Sequence, residues 1–285
     1  MSRKSAVSIF GVVTPLVLAT VTGRAATTIP NCPFTISSAG SYVLAGNLAS
    51  AGSCIAIAVA EPVTIDLHGH TITGNGTGFG ISDGVGASTK QGIVIANGTV
   101  TNFGTGVSLH FSHPVTIERM KVTNNRSQGI TLFGAFTVVN TLVDGNGADG
   151  IAINGDLAGM ILSSETNNNA GNGIVSLSGP TLVADTIGNA NGQDGIALSV
   201  QGKTPTSGNQ VVRSEAIGNG GNGIDVSTET QNAVVESVAN KNRGAGIVLL
   251  CPGDAVSNTA EWNSKGNLVA IPSSTPCAIF NNVAP

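Results

Sequence analysis

Asn146-Gly147-Ala148-Asp149-Gly150-Ile151-Ala152-Ile153 is one instance of a phrase that recurs along most of the chain. Each time an Asn stands four residues before a Gly, and Ile or Val follows the Gly. The pairs are Asn102/Gly106, Asn125/Gly129, Asn146/Gly150, Asn169/Gly173, Asn191/Gly195, Asn219/Gly223 and Asn242/Gly246, and the Gly-to-Gly steps are 23, 21, 23, 22, 28 and 23 residues. A fixed period in the low twenties marks a repeat architecture. Within each unit, short β-type runs such as Gly129-Ile130-Thr131-Leu132 and Phe136-Thr137-Val138-Val139 are split by Gly and Asn. Residues two apart point to the same side of a strand, so each run carries an inward pair. No unit offers ten residues of helical periodicity, which excludes a strand–helix repeat. The unit reads strand, turn, strand, turn. Stacking such units sets each residue about 4.8 Å above its equivalent one coil earlier.

The repeated Asn then becomes a column, expected to comprise Asn102, Asn125, Asn146, Asn169, Asn191, Asn219 and Asn242. Asn at a tight turn tolerates left-handed backbone angles, and its amide can bond the Asn above and below. The recurrent Gly is expected to supply a bend that a Cβ would obstruct. With these features the chain resembles the right-handed parallel β-helix superfamily, the pectate-lyase-like group, over roughly residues 55–270. Asp66-Leu67-His68-Gly69-His70-Thr71-Ile72-Thr73-Gly74 is similar to the opening coil of many exported proteins of that kind. The resemblance implies an all-β, single-stranded right-handed parallel β-helix of about ten coils of ~22 residues, capped and disulfide-stapled at both ends.

Residues 1–25 read as a secretory signal peptide: Arg3 and Lys4, an apolar run from Ala6 to Val21, then Gly23-Arg24-Ala25. The run is short for a transmembrane anchor. Residues 26–54 are expected to form an N-terminal cap, 55–250 the β-helix, and 251–285 the last coil and C-terminal cap. Removing Arg3, Lys4 and Arg24 leaves nine basic against 16 acidic residues, a net charge of −7. With no basic face, nucleic acid is not an expected partner. Cys32 and Cys54 lie one coil apart, and Cys251 and Cys277 lie 26 residues apart. Four cysteines allow three pairings, and local pairing would staple each terminal coil. Disulfides agree with a secreted or periplasmic location.

Candidate sites fall in two places. Insertions at 82–91 and 199–209 follow the same strand type, as do His110, His113, Phe133, Phe136 and Asp156. They are expected to bound a binding groove along one corner of the prism, with His110, His113, Phe133, Asp156 and Lys203 as its binding residues. The second place is the outward face of the strand before each Asn, where the residues six and four back concentrate the charge: Arg119/Lys121, Asn140/Leu142, Ser163/Glu165, Asp185/Ile187, Arg213/Glu215 and Glu236/Val238. Lyase chemistry on acidic sugars, which the resemblance implies, needs a cation on the carboxylate and a Lys or Arg base, with Arg119, Lys121 and Arg213 available. Hydrolysis needs two carboxylates about 5–9.5 Å apart, with Glu165 and Glu215 available. Against both, Asp185, Arg213 and Glu236 fall in successive coils, as a surface ion ladder would.

Calcium, the cofactor that the resemblance implies for lyases, wants clustered oxygen ligands. Asp149, Asn172 and Asp194 share a column without forming a dense cluster, so no metal site is expected, with calcium kept as the alternative that the resemblance implies. Three functions follow. The first is binding, or cleavage, of an extracellular polysaccharide. The second is a non-catalytic structural or surface role, favoured by charged residues at 10 % and by one Trp and one Tyr. The third is periplasmic metal handling, drawn from His68, His70, His110 and His113 in neighbouring coils.

Overall fold

A computed structural model describes residues 25–84, 91–155, 157–177, 179–198, 208–228 and 230–285. One coil shows the plan. Ile130–Phe133 lies in a first sheet, Phe136–Val139 in a second and Leu142–Asp144 in a third; Ile151–Asn154 then opens the next coil beside Ile130–Phe133. Every pairing is parallel and in register by one coil, with Ile130 against Ile151, Val138 against Ile161 and Val143 against Thr166. The result is an all-β parallel solenoid of about ten turns, roughly 50 Å long at the inter-strand spacing.

Among the described residues the first sheet holds 11 strands, from Phe34–Ile36 to Leu268–Ile271, and the second runs from Thr27–Ile29 to Ala278–Phe280. The third is narrower, running from Leu48–Ala49 to single bridges at Thr259 and Val283. Two nine-residue strands, Ile93–Thr101 and Val115–Thr123, pass from the second sheet into the third. Within residues 26–54, expected as a cap, strands contribute to all three sheets. No described helix is long and apolar enough to cross a membrane.

The core is a set of inward ladders. Ile130, Ile151, Ile174, Ile196, Ile224 and Ile247 form one unbroken row in the first sheet, each fully buried. Each such side chain contributes about 1.5–3 kcal/mol of transfer free energy. The Ile after the recurrent Gly is therefore the core rung. The Gly itself is set by close approach: a Cβ on Gly150 would lie 2.6 Å from Gly173 O and 2.7 Å from Asn169 Nδ2. Cys32 bonds Cys54 and Cys251 bonds Cys277, each disulfide joining neighbouring coils near an end.

The Asn column stands at the corner between the third sheet and the first. Asn125 Nδ2 donates to Asn146 Oδ1 at 2.9 Å, and the chain continues through Asn169, Asn191, Asn219 and Asn242 to Asn263. Each Oδ1 also accepts the backbone N–H of the preceding Asn, as Asn169 Oδ1 does from Asn146 N at 3.0 Å. Asn102 is not a member. Phe103 occupies the column position, with its N–H on Asn125 Oδ1 at 2.9 Å and its ring packed where a Cβ on Gly74 would otherwise stand. Asn102 is instead the left-handed residue before the column, at φ 59°, equivalent to Asn124 at 55°.

Candidate functional site

Two corners carry the residues singled out by sequence. Between the first and second sheets, His110 packs against Phe133 with ring centroids 4.3 Å apart and the rings tilted by 43°, in neighbouring coils, and exposed Phe111 lies beside them. Asp83 locks this turn. Fully buried, its carboxylate accepts His110 N and Phe111 N at 2.8 Å and Ser112 Oγ at 2.6 Å. A carboxylate met by three donors is a satisfied structural group, and it fixes where His110 and His113 project. His113 follows on a cis peptide to Pro114 and packs against Gly134. Asp156 and Lys203 lie outside the described residues, as do 85–90 and 199–207 of the two insertions.

Alongside this corner a shallow groove crosses the second sheet, with Phe136, Met160 and Leu182 on its floor, Pro114 and Pro180 on its flank and Gln210 beyond. It spans five successive coils, about 19 Å at the inter-strand spacing. None of its described lining residues is charged. At its far end the buried Asn209 places Oδ1 on Thr181 N at 2.9 Å and its own N–H on Asn232 Oδ1 at 3.0 Å. Its Nδ2 has no partner among the described residues, where nearly every other buried side-chain donor is paired.

The second corner lies between the second and third sheets. The residues six before each Asn are not outward strand positions, as expected, but the turn itself. Asn97, Arg119, Asn140, Ser163, Asp185, Arg213, Glu236 and Ser257 all have φ between 46° and 60°. From Asn140 on, the residue after each is a buried acceptor: Thr141, Ser164, Thr186, Ser214, Ser237 and Asn258. Each accepts the backbone N–H of its counterpart one coil earlier, as Ser214 Oγ does from Thr186 N at 3.2 Å, and each hydroxyl donates to its own strand two residues back, as Ser214 does to Val212 O at 3.0 Å. This second ladder is not among the sequence expectations, although Ser or Thr stands five residues before every Asn from 146 to 242.

At this corner the charges are committed to one another. Arg213 grips Asp185 with two bonds, at 2.7 and 2.8 Å, which holds the Asp185 carboxyl below its usual range and the Arg213 guanidinium above its own. Glu236, one coil on, adds a smaller favourable field. Arg119 bonds Asn97 Oδ1 and Glu118. Lys121 is exposed on the third sheet, in the row that continues through Leu142 to Glu165. Glu165 and Glu215 share that row with Ile187 between them, about 9.6 Å apart by strand spacing. Glu215 is engaged by Asn189 Nδ2 at 2.5 Å. Cation and carboxylates are thus spread along a flat face rather than converging.

Among the described residues no three His, Cys, Asp or Glu side chains gather as a metal site. His68 stands at the second corner, with His70 6.2 Å away by ring centroid, and His110 stands at the first. Asp149, Asn172, Asp194 and Asn222 form one more ladder. Asn172 N and Nδ2 donate to Asp149 Oδ1 at 2.8 and 2.9 Å, Asp194 N donates to Asn172 Oδ1 at 3.0 Å, and Asn222 N donates to Asp194 Oδ1 at 2.5 Å. Burial pushes the Asp194 carboxyl above its usual range, against the bond from Asn222. These oxygens are occupied by the fold. Of the two large polar aromatics, Tyr42 is buried on Ser38 O and Trp262 is 77 % exposed.

Fold and ladders define a class. The chain belongs to the right-handed β-helix region family, which matches residues 20–187. Among solved structures it is similar to the A-module of mannuronan C-5 epimerase AlgE4 from Azotobacter vinelandii, with TM-score 0.69 and 14 % identity over 90 % of this chain and 86 % of that one. It is similar to the periplasmic alginate epimerase AlgG, with TM-score 0.57 and 14 % identity over 85 % of this chain and 72 % of that one. The Dettilon tailspike protein gives TM-score 0.66 and 15 % identity over 85 % of this chain and 55 % of its own. No curated protein matches the sequence.

Proposed function

We propose that this is an exported β-helix protein that binds a polysaccharide chain along the groove beside the His110–Phe133 corner. The observation that carries the reading is the groove itself: apolar, uncharged along its described length, open over five coils, with an aromatic pair near one end and, beside the other, a buried Asn209 amide that has no partner among the described residues. Apolar floors with a few polar groups at the margin suit the mixed faces of sugar rings. The disulfides suit an oxidising space outside the cytoplasm. Two of the solved structures similar in fold are epimerases of mannuronan and alginate by name, which supports a polysaccharide as the ligand class. Binding is favoured over cleavage because Arg119 and Arg213 are engaged and Glu165 and Glu215 lie on another face.

The test is a panel of pectin, alginate and neutral glucans with the purified protein, read by affinity electrophoresis and by release of unsaturated or reducing ends. Retardation by one polymer without new ends is expected. Phe133→Ala should weaken it about tenfold, the effect of losing ~1.4 kcal/mol of ring contact, while Lys121→Ala leaves it unchanged. New chain ends abolished by Lys121→Ala would move the site to the other corner and make the protein an enzyme. Silence on every polymer would sink the reading and leave the rod as a structural element.

A further inference from the structure

The outward face of the second sheet carries two rows of side chains. Beside the first corner run Thr137, Met160, Leu182, Gln210 and Ala233, the first four of which line the groove. Beside the second corner run Val139, Leu162, Ala184, Val212, Val235 and Val256. This second row is aliphatic at every rung over six coils and reaches beyond the groove. Ala184 is buried and the others are half-buried. The two rows stand about 7 Å apart and the longer runs about 24 Å, a strip on the order of 250 Å². A stable interface takes roughly 800 Å² from each partner, so the strip is too narrow for a second folded chain and suits a single extended one. A peptide would add to a sheet edge, and the strip is a face.

The charges bordering the strip decide what kind of chain it takes. Glu118 precedes Val139 in one row and Asp254 follows Ala233 in the other, with Asp185 and Glu236 at the adjoining turn. Against these four carboxylates stand Arg119 and Arg213, bonded to Glu118 and Asp185. A polyuronate brings a carboxylate on every ring. It would lay them on aliphatic side chains, at a desolvation cost that neither of these bonded cations is left to offset. The whole chain is acidic as well, with 16 Asp and Glu against 12 Lys and Arg, and repels a polyanion at long range. We infer that the ligand is a neutral polysaccharide, lying along the axis of the rod with the apolar faces of its rings on Leu162, Val212 and Val235. This rests on the polysaccharide reading above and adds to it the charge class of the ligand and a second contact row.

The test sets galactomannan and a mixed-linkage β-glucan against alginate and polygalacturonate in affinity electrophoresis of the full chain. Retardation by a neutral polymer and by neither polyuronate is expected, and it should survive about 0.5 M salt, which screens exposed charges. Val235→Glu should weaken it about tenfold or more, and Val235→Thr, which keeps the side-chain shape, by a smaller factor with an unchanged thermal midpoint. Retardation by alginate or polygalacturonate would overturn the neutral assignment and leave the polysaccharide reading standing. A neutral polymer whose binding Phe133→Ala weakens and neither Val235 variant alters would confine the ligand to the groove and overturn the strip. Silence on all four polymers would sink the reading beneath the inference, and the inference with it.

Discussion

The corner between the third and first sheets and the corner between the second and third are two solutions to one problem. Each turns the chain with a residue in left-handed conformation, and each follows it with a buried side-chain acceptor for a backbone N–H of the neighbouring coil. At the first the acceptor is an amide from Asn125 to Asn263; at the second it is mainly a hydroxyl from Thr141 to Ser237. An amide accepts and donates at once, so the Asn side chains bond one another from coil to coil. A hydroxyl has one proton, spent on its own strand, so the Ser and Thr rungs are linked only through the backbone. The first corner is a continuous network and the second a series of separate clips. That difference is measurable.

The largest effect belongs to the network. Asn169 Oδ1 accepts Asn146 N and Nδ2, and its Nδ2 donates to Val143 O and Asn191 Oδ1. Asn169→Ala strands buried partners in two neighbouring coils, and a cost of about 3 kcal/mol is expected. Ser214→Ala removes one clip, leaving Thr186 N without its acceptor, at about 1 kcal/mol. Solenoid unfolding need not be two-state, so the fitting measurement is amide exchange at Asn146 and at Thr186. Equal losses would show that the Asn chain gains nothing from its continuity.

The same contrast explains what could be read from the sequence. The Asn column was legible because one residue type recurs beside a recurrent Gly, and because the core Ile follows at a fixed step. The hydroxyl column was written at an equally fixed offset, five before each Asn from 146 to 242, but Ser and Thr are common on any β surface and do not stand out. The left-handed residues before it were illegible by type: Arg213, Asp185, Ser163 and Glu236 share a backbone angle and no chemistry. Their conformation is imposed by the buried rung that follows. Taking them as outward strand residues made a turn resemble a charged face. Asn102 misled in the opposite way, matching the phrase while Phe103 took the buried position. The groove was legible only as a corner where insertions leave, since Met160 and Leu182 meet through stacking that no local pattern announces.

A third ladder sharpens the comparison with charge. Asp194 occupies a rung where Asn172 and Asn222, one coil to either side, are amides. Its carboxyl is raised by burial, with the nearby Asp225 charge adding to the effect. A carboxyl raised in the folded state contributes stability that is complete below its unfolded pKa and is lost as pH rises through the folded value. At neutral pH the charged rung therefore costs stability. Asp194→Asn keeps the acceptor for Asn222 N, and its thermal midpoint should exceed that of the wild type at pH 7, with the gap closing toward about pH 3, below the usual carboxylate range. A gap that persists in acid would assign the gain to the new donor rather than to the charge.

The smallest effect separates structure from function at the second corner. Arg213 and Asp185 are both about half exposed, and an exposed pair of this kind contributes little to stability. Arg213 also sits at φ 46°, where a side chain costs about 1 kcal/mol that glycine does not. Arg213→Gly exchanges one small term for the other, and stability within about 0.5 kcal/mol of the wild type is expected at neutral pH. The pH dependence shows which term was lost. The Asp185 carboxyl is lowered by Arg213, so its contribution is present above the unfolded pKa and disappears as pH falls through the folded value. In Arg213→Gly that acid-side loss should vanish, as it should for the wild type in high salt. If instead the variant keeps its stability and fails to bind a polymer that the wild type binds, the left-handed corner is the site and the groove is not.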